Sequence, residues 1–184
     1  MKIKSLVFIL DRDGVINQDS DHYIKCPEEW YPIGGSIEAI RLLKKRGHKV
    51  VIASNQSGIG RGYLSLWTLA EIHNQLHKTL AESGTYIDGI FFCPHTPETE
   101  CNCRKPKTGL LDYIKDSFAY PIHNMYFIGD SQRDIESGKA SGIQPILVKS
   151  GNGKETEKEQ LEGEKIPVYN DLLHAVNALT GQDV

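Results

Sequence analysis

The sequence predicts an α/β fold, a three-layer doubly wound parallel sheet, and three observations predict it. Short apolar runs rich in β-branched and aromatic residues alternate with amphipathic segments of roughly 10 to 19 residues, as right-handed βαβ crossovers require. The apolar runs are continuous, as in strands buried on both faces. Asp11, Asp13, Ser54 and Asp130 each fall where such a run ends, and parallel sheets bind ligands beyond the carboxyl ends of their strands. With no internal repeat and no interdomain linker, residues 1–184 read as one domain.

The first strand covers residues 5–10 and stops at two carboxylates, Asp11 and Asp13, before Gly14 lets the backbone turn. Residues 18–35, rich in Asp, Pro, Gly and aromatics without periodicity, form a candidate specificity loop over that strand end. Ser36 is expected to cap the first helix, with Glu38 in its first turn and Ile37, Ile40, Leu42 and Leu43 as its apolar stripe, until Gly47. Residues 49–53 make a second buried strand that delivers Ser54-Asn55-Gln56-Ser57-Gly58. Ser65 caps a second helix with Leu66, Leu69, Ile72, Leu76 and Leu80 at helical spacing, stopped by Gly84. His73 and His77 stand one turn apart on it; without a third ligand nearby they read as a partly exposed helix face, not a metal pair.

A third strand at 87–92 leads into a Cys/His-rich loop and a helix capped by Thr108, with Leu110, Leu111, Ile114 and Phe118. A fourth strand at 125–128 ends in Gly129-Asp130-Ser131-Gln132-Arg133-Asp134, and a short helix precedes a fifth strand at 145–148. Residues 149–165, charged and Gly-bearing, read as a solvated face. Residues 166–169 and a helix capped by Asp171, with Leu172, Leu173, Ala175, Val176 and Leu179, close the domain.

Composition narrows the chemistry. At 39% hydrophobic and 24% charged, 184 residues suffice for a full core, which excludes disorder and fibre. A net charge of -3 supplies no basic field for nucleic acid or an anionic membrane. The N-terminal apolar run is too short for a signal-peptide core and no stretch is long enough to span a bilayer, so a cytoplasmic protein is expected. In a reducing compartment four cysteines favour metal over disulfides. Cys26 stands apart and reads as structural.

Two carboxylates one residue apart repel, so both stay ionised only if a cation sits between them or one holds a proton. A hard, partly hydrated Mg2+ suits them; the plain alternative is a strand ending in a solvated Asp-Gly turn. Cys93, His95, Cys101 and Cys103 supply enough ligands to close a tetrahedral zinc site with no open position, hence a structural one. The loop 93–103 has too little apolar content to fold by packing, so the metal must hold it and place Arg104 and Lys105 at the sheet edge.

In order, Asp11-x-Asp13-Gly14, Ser54, Lys105 in Arg104-Lys105-Pro106, and Gly129-Asp130 with Asp134 resemble the four motifs of the haloacid dehalogenase (HAD) superfamily of phosphatases, over residues 8–151. More narrowly, Asp-Arg-Asp-Gly-Val-Ile-Asn, Asn-Gln-Ser-Gly-Ile-Gly-Arg-Gly, and Cys-Pro-His followed by Cys-x-Cys-Arg-Lys-Pro are similar to the D-glycero-D-manno-heptose 1,7-bisphosphate 7-phosphatases. The resemblance implies a HAD-like Rossmannoid phosphatase with Asp11 as nucleophile and an aspartyl-phosphate intermediate. Asp13 would be general acid and then base. The Asp11 side chain, the Asp13 carbonyl and Asp130 would hold Mg2+, with Asp134 behind them. Ser54 and the Asn55 amide would bind phosphate oxygens, and Lys105 would neutralise the phosphoryl group and orient Asp11.

Two departures stand out: Ser54 where relatives often carry Thr, and Val15 where the superfamily commonly has Thr; neither removes a charge or a needed donor. No segment is long enough to form a cap domain, so the site is expected to be open, with specificity resting on loops. Asp19, Ser20, Asp21 and His22 are candidates for sugar hydroxyls, Gln56, Ser57 and Ser131 for further substrate contacts, and Arg61 and Arg104 for a second, remote phosphate. The expected partner is a small sugar bisphosphate, the unit a monomer, and the pathway heptose synthesis for lipopolysaccharide or S-layer. A histidinol-phosphate phosphatase would share the motifs, but the segment bearing Arg61 favours a second anion. Intact Asp11, Asp13, Lys105 and Asp130 argue against a silent zinc-binding interaction module, and the acidic balance against a polynucleotide 3'-phosphatase.

Overall fold

The computed structural model describes residues 5–159 and 166–181. Six strands, β1 (Val7–Leu10), β2 (Lys49–Asn55), β3 (Gly89–Cys93), β4 (Met125–Gly129), β5 (Gln144–Val148) and β6 (Val168–Tyr169), form one sheet in the order β3-β2-β1-β4-β5-β6. Every pairing is parallel. Leu10 stands opposite both Ile52 and Ile128, so Asp11, Ser54 and Asp130 come within two residues of the same level at one edge of the sheet. The topology therefore does what the apolar-run pattern predicts: it gathers separated polar residues beyond the strand ends.

Around the sheet lie α1 (Ser36–Lys45), α2 (Ser57–Gly60), α3 (Leu66–Glu82), α4 (Gly109–Phe118), α5 (Gln132–Ser141), α6 (Gly153–Glu159) and α7 (Leu172–Thr180). Strand side chains alternate between two cores. Phe8 and Leu10 pack with Ile40, Leu43, Leu69, Ile72, Leu76 and Val176 from α1, α3 and α7. Val7 and Ile9 pack with Leu110, Leu111 and Ile114 from α4. All four β1 residues are fully buried, each contributing about 1.5–3 kcal/mol, which anchors the strand that carries Asp11.

Local chemistry corrects several element boundaries. Ser36 does not cap α1: Gly35 occupies the N-cap at φ 84°, while the Ser36 hydroxyl donates to the Ile16 carbonyl (2.7 Å) and ties the helix to the turn after β1. Thr108 sits at the N-cap of α4 in helical geometry without a capping hydrogen bond. Ser65 and Asp171 do cap, accepting from the Thr68 and His174 amides at 3.0 and 2.8 Å. β2 runs on through Ser54 and Asn55, which pair with Phe92 and Cys93, so the ladder outlasts the apolar run. β3 starts two residues later than its apolar run suggests, since Asp88 is taken up by Lys44, Lys49 and the Val50 amide.

Residues 149–165 are not merely a solvated face: α6 buries Gly153 and Thr156, while 160–165 lie outside the described residues. Between β1 and α1, and between β3 and α4, the described residues hold only loops with single 3-10 turns at Pro27–Glu29 and Pro97–Thr99, so no cap domain is built there. Among the described residues no helix is long and apolar enough to cross a membrane.

Candidate active site

A cleft of about 360 Å³ opens at the carboxyl edge of the sheet. The predicted residues Asp11, Asp13, Asp19, Ser20, Ser54, Asn55, Gln56, Ser57, Arg61, Arg104, Lys105, Asp130 and Ser131 all line it. Asp21 lies outside, in a shallow hollow beside Asp19, Ser20 and Asn152, and the exposed His22 lines neither. Arg12, Tyr23, Arg133 and Asn152 line the cleft without having been singled out as substrate or catalytic residues.

Lys105 is its electrostatic centre. The buried ammonium lies 3.0 Å from Asp11 Oδ1 and 2.7 Å from Asp134 Oδ1, and donates to the Ala53 carbonyl at 2.8 Å. Burial alone would lower its pKa, but Asp11 and Asp134 outweigh that and raise it. Burial drives Asp11 well above the usual carboxylate range; Lys105 opposes the shift, and Asp134, Asp130 and Asp13 add to it. Asp130 is pushed up to about 7 by burial and then by Asp134.

Carboxylates so crowded call for a further cation. Oxygens of Asp11, Asp130 and Asp134 lie within 4.8 Å of one another, a donor set that fits a hard divalent ion. Asp134 is largely committed elsewhere, since besides Lys105 its Oδ2 accepts from the Ser131 amide (3.1 Å) and hydroxyl (2.6 Å), capping α5. That leaves Asp11 and Asp130 as the side chains free to face an ion.

Asp130 is buttressed from the segment after β5. Its Oδ2 accepts from the Asn152 amide at 2.8 Å, and its backbone carbonyl accepts from Thr156 Oγ1 at 2.8 Å. Asn152 Nδ2 also reaches Asp19 Oδ2 at 3.2 Å, linking this acid to the substrate-loop candidates. Gly14 (φ 82°) and Gly151 (φ 56°) flank the same carboxylate, and a Cβ on either would run into it. Sequence reasoning missed Asn152. The available signal was position: like Ser54 and Asp130, Gly151-Asn152 comes shortly after a buried apolar run, here the one ending at Val148.

Asp13 is held by four donors. Arg12 Nε and Nη2 donate to its Oδ1 and Oδ2 at 3.1 and 2.9 Å, Asn17 Nδ2 to Oδ1 at 2.8 Å, and Gln56 Nε2 to Oδ2 at 2.9 Å. Gln56 Nε2 also donates to Ser54 Oγ at 2.8 Å, which leaves the Ser54 hydroxyl proton for an anion in the cleft. Arg12, missed in sequence because its neighbours are both acids of the motif, is only 1% exposed.

Two devices position the backbone of Lys105. Asn55 Nδ2 donates to the Lys105 carbonyl at 3.0 Å and Asn55 Oδ1 accepts from its amide at 3.1 Å, so the side chain of Asn55 serves the lysine loop. The second device is the Cys/His cluster. The Cys93, Cys101 and Cys103 sulfurs are 3.3 to 3.6 Å apart, and His95 Nδ1 lies 3.6 and 3.3 Å from Cys93 and Cys103. A tetrahedral zinc with bonds near 2.3 Å to sulfur sets its ligands about 3.8 Å apart, so the cluster has the size of a closed zinc cage. Burial pushes the Cys93 thiol up to about 12, so a thiolate at Cys93 calls for a cation, while at Cys101 burial is outweighed by hydrogen bonds from the other cluster members, which hold it down at about 7.

On the rim, Arg104 donates to the His95 carbonyl at 3.3 Å, and its pKa is lowered by burial, then by Arg133, with Arg61 adding to the repulsion. Arg61 has only a loose contact with the exposed Glu98, at 3.8 Å. Arg104 thus has two other guanidinium groups near it at the mouth of the cleft, and an anion there would relieve the repulsion.

Comparison with known proteins accords with this geometry. Residues 102–175 match the HAD-hydrolase-like family model. The chain is 47% identical over 166 residues to the D-glycero-beta-D-manno-heptose-1,7-bisphosphate 7-phosphatase of Pseudomonas putida, covering 90% of this chain and 94% of the relative. The chain belongs to the heptose-1,7-bisphosphate 7-phosphatase family. Within that family the Campylobacter jejuni D-glycero-alpha-D-manno-heptose-1,7-bisphosphate 7-phosphatase is 34% identical over the whole of both chains. The D,D-heptose 1,7-bisphosphate phosphatase of B. bronchiseptica, solved as a complex with magnesium and phosphate, superposes with a TM-score of 0.92 at 40% identity, over 95% of this chain and 98% of that one.

Proposed function

We propose that the chain, acting as one cytoplasmic domain, removes the 7-phosphate of D-glycero-D-manno-heptose 1,7-bisphosphate in nucleotide-activated (ADP or GDP) heptose synthesis. The observation that carries the reading is a buried Asp11 at the end of the central strand, paired with Lys105 and facing Asp130, in a chain of this family. Asp11, the Asp13 carbonyl and Asp130 would hold Mg2+, which when bound offsets the repulsion between a carboxylate nucleophile and an anionic phosphate. An Asp11 oxygen attacks phosphorus while the bond to the sugar oxygen breaks and that oxygen takes the Asp13 proton. Water then attacks the aspartyl-phosphate, Asp13 accepts its proton, and phosphate leaves with Asp11 restored. Lys105 and Ser54 stabilise the charge on the transferring group. Zinc at Cys93, His95, Cys101 and Cys103 is structural.

The remote 1-phosphate falls to Arg61 and Arg104, and the sugar hydroxyls to the 19–22 loop; a monomer suffices. The test is phosphate release with Mg2+ from both heptose 1,7-bisphosphate anomers and from histidinol phosphate at matched concentrations. The names of the relatives at 42 to 47% identity point to the β anomer, expected to exceed histidinol phosphate by about 100-fold or more in kcat/KM. Faster turnover of histidinol phosphate would overturn the substrate and the roles of Arg61 and Arg104 together.

A further inference from the structure

We infer that Arg12 is a positioning residue that works through Asp13, stabilising the negative charge Asp13 acquires when it protonates the leaving oxygen. The inference rests on the phosphatase reading above. Arg12 lies between the two motif acids, and its side chain folds back onto Asp13. The guanidinium is 1% exposed and meets the carboxylate edge-on through two nitrogens, at 3.1 and 2.9 Å. That planar fork fixes the carboxylate in both position and plane, which a lysine cannot do.

The surroundings hold the fork itself. Arg12 Nη2 also donates to Gln56 Oε1 at 3.1 Å, and His73 Nε2 from α3 stands 3.5 Å from Nη1. Burial, reinforced by Arg12, keeps that imidazole neutral, with a pKa of about 4, so it does not repel the guanidinium. Asn17 and Gln56 add neutral donors to the same two oxygens. A surface ion pair needs none of this; a group that must change charge in a fixed place does.

The proton inventory closes. As the Asp11–phosphorus bond forms and the phosphorus–alkoxide bond breaks, the Asp13 carboxylic acid gives its proton to the departing oxygen and becomes the carboxylate that Arg12 grips. In the second half-reaction that carboxylate takes a proton from the attacking water, and the acid is regenerated. Arg12 gains most when the leaving oxygen needs a proton, as a sugar alkoxide does, and little when it leaves readily as an anion, as p-nitrophenolate does.

The test is kcat/KM, which reports the first half-reaction, on heptose 1,7-bisphosphate and on p-nitrophenyl phosphate. It compares the wild type with Arg12→Gln, Arg12→Lys, Asp13→Asn and the double variant Arg12→Gln/Asp13→Asn. Arg12→Gln is expected to lose about 100-fold on the sugar phosphate and less than about fivefold on the aryl ester, with Arg12→Lys recovering little. In the double variant the Arg12 change should cost nothing beyond Asp13→Asn. Equal losses on both esters, or additive losses, would show a merely structural arginine and overturn the inference. Should Arg12→Gln fail to fold, Asn17→Ala takes its place with the same selective, non-additive loss expected. A wild type inert toward both esters overturns the phosphatase reading and this inference with it; an active wild type with equal losses overturns this inference alone.

Discussion

Asn55→Ala separates the placement of Lys105 from its charge. The wild-type side chain makes two hydrogen bonds to the Lys105 backbone, at 3.0 and 3.1 Å, and each is worth about 0.5–1.5 kcal/mol net. Their loss should lower unfolding free energy by about 1–3 kcal/mol, read from urea unfolding. The effect on turnover should be larger than that stability loss suggests. With the Asn55 anchor gone, the backbone at Lys105 is held by the Cys/His cage and by the lysine's own contacts with Asp11, Asp134 and Ala53, and a displacement of about 1 Å at a reacting centre costs on the order of 100-fold. Asn55→Asp should do no better, because a carboxylate oxygen then faces the Lys105 carbonyl. The assay is kcat/KM for phosphate release from the sugar bisphosphate, with bound zinc measured in the same samples. Activity within about threefold of wild type at full zinc content would refute the reasoning, since a 1 Å shift cannot be that cheap.

Cys101→Ser should lose zinc and most activity together, measured by metal analysis and phosphate release; full activity in a zinc-free protein would uncouple the two. Arg104→Ala should cost at least about tenfold more in kcat/KM with the bisphosphate than with a heptose 7-monophosphate, because only the former offers a second anion. His73 has its pKa lowered from 6.5 to about 4 in the folded chain, so as pH falls through that window the unfolded state takes up a proton the fold refuses. Stability should therefore fall by up to about 3 kcal/mol between pH 7 and pH 4, and His73→Gln should remove that share of the loss in urea titrations at the two pH values.

The fold was legible because parallel strands buried on both faces carry an unbroken apolar signature, and the polar residues that follow each run mark one edge. The charged part of the site was legible for a related reason: Asp11 and Asp130 follow strands, and Lys105 follows a ligand-rich loop at the place the HAD motif order gives it. What escaped were groups whose role depends on a partner remote in sequence. Nothing local marks Asn55 as the anchor of Lys105, or Asn152 as the support of Asp130. Arg12 was hidden in plain view, because an arginine between two acids reads as charge balance until its burial is known. Ser36 shows the converse, a residue with the right local chemistry for a cap whose hydroxyl finds a better acceptor at Ile16.

The placement of β1 between β2 and β4 bears on how this protein comes into being. Its register partners begin at Lys49 on one side and Met125 on the other, and the buttress of Asp130 comes later still, at Asn152. Such parallel pairings close long loops before any contact repays them, so the nucleophile acquires its setting late. During synthesis the ribosome must deliver the chain past Asn152 before Asp130 has its support and Asp11 its full set of neighbours. A truncated or half-folded molecule therefore presents an unfinished pocket, and the appearance of turnover after dilution from urea is expected to time the completion of that pocket.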